Sequence, residues 1–129
     1  MSGKHRIVNP PELPEPVGYA HAVVAAPGRT VYLGGQTGAG ATVAAQFDSA
    51  AASLLAALRA AGGEPDDLVS LVVYSTDVDE YRAALEELGE VWRRHFGRRY
   101  PAMALVGVSA LADPEARVEL MGVAVVADG

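Results

Sequence analysis

The run from Leu68 to Ser75, Leu-Val-Ser-Leu-Val-Val-Tyr-Ser, is nearly continuous in apolar and β-branched residues. That is the pattern of a central strand, covered on one face and packed on the other. Its flanks narrow the fold further. Between Thr42 and Ala61, the residues Ala44, Phe47, Ala51, Leu54, Leu55, Leu58 and Ala61 recur at three- and four-residue steps, which predicts a helix lying on a sheet and stopped by Gly62-Gly63. After the strand, Asp77-Val-Asp-Glu80 has the form of a capping box and opens a second predicted helix through about Phe96, striped by Tyr81, Leu85, Leu88, Trp92 and Phe96. Gly89 inside it costs about 1 kcal/mol relative to alanine, and close packing against a neighbour is the expected reason for it.

Ala20 to Ala25 and Thr30 to Gly35 are apolar, β-branched runs joined by Pro27-Gly28, which predicts a hairpin. Two further strands are predicted over 102–108 and 117–126, separated by the turn-prone Asp113-Pro114-Glu115. The order is β-β-α-β-α-β-β, an α+β layer with two helices on one face of a mixed sheet. A single helix pair leaves the other face to solvent or to an oligomer, and a hydrophobic content of 50% favours the oligomer. Residues 9–17 carry four prolines and predict an extended surface segment leading to Gly18-Tyr19.

At 129 residues the chain reads as one compact domain, 1–129. Only 6% of it is aromatic, so Ala, Val and Leu must build most of the core. A net charge of −6 speaks against a nucleic-acid partner, because phosphate contact needs clustered cations. The basic cluster Arg93, Arg94, Arg98 and Arg99 flanks the end of a predicted helix, where cations complement the helix dipole; an anion-binding role is the other reading. Cysteine is absent and the three histidines have no ligand spacing, so neither a metal nor another cofactor is expected. No segment reaches about 18 uninterrupted apolar residues, so no membrane partner is expected and the chain reads as cytoplasmic.

Gly34, Gly35, Gly38 and Gly40 surround Gln36 and Thr37. Such density means a bulge, a close backbone approach or a flexible loop; phosphate-loop spacing and its lysine are missing. Gly18-Tyr19, Gly35-Gln36, Tyr100-Pro101-Ala102 and Val118-Glu119, in that order across nearly the whole chain, resemble the RidA/YjgF family of reactive-intermediate deaminases. The resemblance implies a chorismate-mutase-like α+β fold, a homotrimer, and small-molecule pockets between subunits. It further implies a pocket tyrosine at Tyr19 and a water-positioning glutamate at Glu119. Where the family's deaminases carry a carboxylate-binding arginine, this chain has Met103.

Arginine offers a carboxylate a rigid bidentate fork, whereas a thioether offers apolar surface and a weak acceptor. Met103 is therefore expected to exclude carboxylate-bearing imines. Two-residue alternation puts Met103, Leu105 and Gly107 on one strand face, so Leu105 joins the implied substrate-binding set and the pocket reads as apolar. Glu119 has two readings: an exposed or Arg117-paired strand residue, or a general acid or base facing the pocket. His21, two residues after Tyr19, is either a surface residue or a replacement polar group. Arg98 and Arg99 are alternative replacements for the lost cation, and His95 reads as a packing or capping residue. Gly34, Gly35 and Thr37 are a candidate donor-rich rim or an ordinary turn. Two functions follow: a catalytic trimer hydrolysing or tautomerising an imine or enamine without the usual carboxylate, and a non-catalytic small-molecule-binding or accessory trimer. Ribonuclease activity, attributed to some relatives, is disfavoured by the acidic balance.

Overall fold

The computed structural model describes residues 4–128. Its main sheet has four strands in the order β3 (Gly28–Gln36), β6 (Val118–Ala127), β4 (Leu68–Ser75) and β5 (Ala102–Gly107). β4 pairs antiparallel to β6 and parallel to β5, so the sheet is mixed and the apolar run 68–75 is internal, as expected. A separate antiparallel pair joins β1 (Arg6–Val8) to β2 (Ala22–Val24).

The helix α1 (Val43–Ala60) lies along one face of this sheet. Phe47, Leu54, Leu55 and Leu58 from its stripe form one buried cluster with Leu71, Val73, Val118 and Leu120 of β4 and β6. Each such side chain taken from water stabilises the fold by about 1.5–3 kcal/mol. Thr42 caps the helix, its Oγ1 accepting from the Ala45 amide at 3.1 Å. A second cap comes from afar, since the Val43 amide donates to Glu80 Oε2 at 2.8 Å.

Three local expectations are corrected. The strand 20–25 does not pair with 30–35: β2 pairs with β1, and β3 pairs with β6 from Gly28↔Ala127 onward. The cause is at Pro27-Gly28, where the Pro27 carbonyl accepts from the Asp128 amide at 3.0 Å and a Cβ on Gly28 would overlap the Val126 carbonyl oxygen. The chain there is pressed onto β6. His5 then ties the β1–β2 pair to the main sheet, with Nε2 2.7 Å from the Val125 carbonyl oxygen and Nδ1 accepting from the Ala26 amide at 3.0 Å.

The second helix is two helices, α2 (Val78–Ala83) and α3 (Leu85–Phe96). The Ala84 amide bonds the Tyr81 carbonyl at 3.1 Å, a three-residue closure tighter than the α-helical one. This shift of phase leaves Leu85 58% exposed, although Tyr81, Leu88, Trp92 and Phe96 of the same stripe are buried. The capping box is only half made. Asp77 Oδ1 accepts from the Glu80 amide at 3.0 Å, while the Glu80 carboxylate turns away to the α1 cap and to the Arg117 guanidinium.

Helices cover one face of the main sheet. The other presents Tyr32, 81% exposed, with Met121 and half-buried Val72 and Tyr74. No helix among the described residues is long and apolar enough to cross a membrane.

Asp48 of α1 meets α3 through His95, whose Nε2 lies 2.5 Å from Oδ1, and through Arg94 at 3.4 Å. The His95 hydrogen bond, with Arg94 adding to it, holds the Asp48 carboxyl below its ordinary 3.8 despite some burial. A carboxyl depressed by folding stabilises fully above its unfolded value, and that share is lost as pH falls through the folded one. Asp48→Asn is therefore expected to lower stability near neutrality and to flatten the loss of stability below about pH 4, measured by urea unfolding across pH.

Candidate functional site

α1 lies over β3 and β6 rather than the other outer strand, β5, and a cleft of about 490 Å³ opens among β5, α2 and α3. Its floor is Phe47, Val73 and Leu88, and one wall is Met103 beside an aromatic stack. In that stack Trp92 lies against Phe96 at 4.1 Å and against Tyr100 at 5.2 Å, with interplanar angles of 25° and 13°. The Trp92 indole N–H donates to the Arg99 carbonyl at 3.3 Å, which fixes the ring plane. Val17, Leu85 and Leu105 form an apolar mouth, and the only charged lining residues are Glu86 and Arg93, both exposed at the rim.

Tyr19, Met103 and Leu105 all line this cleft. Tyr19 is carried by the proline-rich segment, which is docked to β5 where the Ala20 amide donates to the Pro101 carbonyl at 2.9 Å. His21 stands outside the cleft, in a shallow depression along the β4–β5 edge. Its ring meets Tyr19 edge-on at 5.1 Å and its Nε2 lies 2.8 Å from the Pro14 carbonyl oxygen, so it anchors the segment that holds Tyr19.

Glu119 is elsewhere. Met103 is in register with buried Leu71 and Glu119 with Tyr74, and two-residue alternation sends Leu71 and Tyr74 to opposite faces of β4. Within one chain, then, Glu119 and the Tyr19–Met103 cleft are on opposite sides of the sheet. The Glu119 carboxylate lies over Gly35, where a Cβ would collide with Oε2, and makes no ion pair with Arg117, which bonds Glu80 and the Ala41 carbonyl. Gly34 and Gly35 occupy a register shift of β3 between Leu33 and Gln36. Thr37 lines a third hollow with Gly38, Gln46 and Arg117, away from the cleft.

Arg98 and Arg99 line a different cavity, between the proline-rich segment and the end of α3, and Arg99 Nη2 is bonded to the His5 carbonyl oxygen at 2.5 Å. Neither replaces a cation in the cleft. Among the described residues no group of three or more His, Cys, Asp or Glu is placed to hold a metal ion.

Mixed sheet, one-sided helical cover and a cleft at the outer strand define an α+β small-domain class shared with known proteins. The family model described as endoribonuclease L-PSP matches residues 12–126. The solved structures similar to the chain include YyfB of Yersinia pestis, a Rid-family protein of unknown function, with 30% identity over 95% of this chain and 99% of that one and a TM-score of 0.83. A YjgF-family member from Mycobacterium tuberculosis shares 35% identity over 95% and 99% of the two chains, with a TM-score of 0.67. RidA of an Antarctic Psychrobacter shares 29% over 94% and 99%, with a TM-score of 0.66. No curated protein sequence matches. The chain belongs to the Rid (YjgF, endoribonuclease L-PSP) family.

Phe47, Tyr81, Gly89, Trp92 and Tyr100 line the cleft but are absent from the candidate site residues drawn from the sequence, where Tyr100 stands in a family motif and the others sit in helical patterns that read as core or packing. Gly89 was the available signal. Its expected tight neighbour does not exist, because a Cβ there would meet only the flexible Arg93 Nη1, at 3.4 Å. Its missing side chain instead keeps the cleft open. Gly89→Ala is expected to raise stability by about 0.5–1 kcal/mol through helix propensity, seen as a higher urea midpoint at unchanged slope.

Proposed function

We propose that this Rid-family protein binds an uncharged, largely apolar small molecule in the Met103 cleft, as a homotrimer, and hydrolyses an imine or enamine that lacks the usual carboxylate. The carrying observation is the cleft's lining: its floor and walls contain no cation, and Met103 lies among aromatic rings where a carboxylate would find no charged partner. In this reading water adds across the C=N bond, the carbonyl product keeps the oxygen, and nitrogen leaves as ammonia. Glu119 of an adjoining copy positions that water, brought to the cleft by packing of the uncovered sheet face around Tyr32, Tyr74 and Met121. Tyr19 orders the substrate from the docked segment.

One observation favours the second reading, a binding or accessory trimer without catalysis: Glu119 does not reach the cleft of its own chain. RNA cleavage, the activity in the family model's description, finds little support. The net charge is −6, and Arg94, Arg99 and Arg117 are held by internal partners.

Ammonia release from freshly generated imines, with and without a carboxylate, separates these readings. The native protein is expected to act only on carboxylate-free imines, with Glu119→Gln slower by about 100-fold or more. Activity gained only in Met103→Arg would leave a binding protein. Light scattering that shows a monomer would remove Glu119 from the site altogether.

A further inference from the structure

Tyr81 carries an oxygen for which the fold has no use. Its ring is nine-tenths buried, 9% exposed, and packs at 61° to Phe47 with centroids 6.4 Å apart, a role phenylalanine fills equally well. Among the described residues nothing hydrogen-bonds its hydroxyl, although a buried tyrosine ordinarily finds a partner. Every fully enclosed side-chain nitrogen or oxygen in the described structure does have one. The Tyr81 oxygen is therefore not fully enclosed, and Tyr81 lines the cleft.

Burial pushes the Tyr81 phenol up to about 12. The group stays protonated at any physiological pH and is available as a donor. At the rim Glu86 and Arg93 carry opposite charges, so the entrance does not select an ion.

We propose that the Tyr81 hydroxyl is the specificity-determining polar group of this cleft, donating a hydrogen bond to the carbonyl oxygen or imine nitrogen of an uncharged ligand whose apolar body lies against Met103 and Trp92. This rests on the cleft being the ligand site, as proposed above. It adds a directional contact, from the most buried of the cleft's phenols, that distinguishes a carbonyl or imine compound from a hydrocarbon of the same shape.

The test uses acetophenone and α-methylstyrene, which match in shape and differ in C=O against C=CH2. Methyl-labelled methionine reports binding through Met103, which lines the cleft. The native protein is expected to bind acetophenone about three- to tenfold more tightly than α-methylstyrene. In Tyr81→Phe this ratio is expected to collapse to about one, with α-methylstyrene affinity and thermal unfolding little changed. Equal affinities in the native protein, or an undiminished ratio in Tyr81→Phe, overturn the role of Tyr81 and leave the cleft standing. Loss of acetophenone binding in Arg93→Ala with retention in Tyr81→Phe likewise overturns it in favour of the rim. No response of the Met103 methyl to either probe overturns the cleft as ligand site and the inference with it.

Discussion

Burial of one helix against one side of a mixed sheet sets everything else in this protein. Phe47, Leu54, Leu55 and Leu58 are almost wholly withdrawn from water against Leu71, Val73, Val118 and Leu120. The helix lies over β6 and β3, its buried side chains meeting those of β4, and it stops short of β5. The outer strand is left for α2 and α3, whose shorter cover makes a hollow where a continuous core would otherwise run. The cleft is thus a product of how far α1 extends, and Met103 belongs both to the core margin and to the candidate site.

A polar knot keeps that arrangement in register. Glu80 caps α1 with one oxygen and holds Arg117 with the other, while Arg117 Nη2 donates to the Ala41 carbonyl at 2.6 Å. Gln46 completes it, donating to the Gly40 and Glu115 carbonyls at 3.2 Å each and accepting from the Arg117 amide at 2.8 Å. Four segments meet there: the glycine-rich loop, the start of α1, α2 and the approach to β6. Removing a partner would be felt most at Gln46, the buried member, where an unmade hydrogen bond costs most.

The α+β order, the internal strand 68–75 and the α1 stripe were legible because each is a periodic pattern several residues long. What the sequence concealed were choices of partner. A Pro-Gly pair between two apolar runs looks like a hairpin, but nothing in residues 20–35 says that β6 competes for β3, or that three residues near His5 supply the partner for β2. The break at Ala84 lacks any proline or glycine to mark it, which is why Leu85 read as core. Met103 and Leu105 line one cleft as a strand-face argument suggested, and Tyr19, placed there by the resemblance, lines it with them. Glu119 was parted from them by the same alternation, applied one strand further in. Tyr81 and Gly89 looked like helix packing, since a pattern shows which side a residue faces and not whether that side is filled.

The position of β6 has a consequence for how the molecule comes into being. This strand follows all the other described strands in chain order yet sits between β3 and β4, pairing with both. While the chain is being synthesised, those two strands have nothing to bind them into one sheet until residues 118–127 have left the ribosome. Closure of such distant pairs is slow, and their edges stay open meanwhile. The nascent protein depends on this late strand as a keystone, and a chain cut short before it would lose the middle of its sheet.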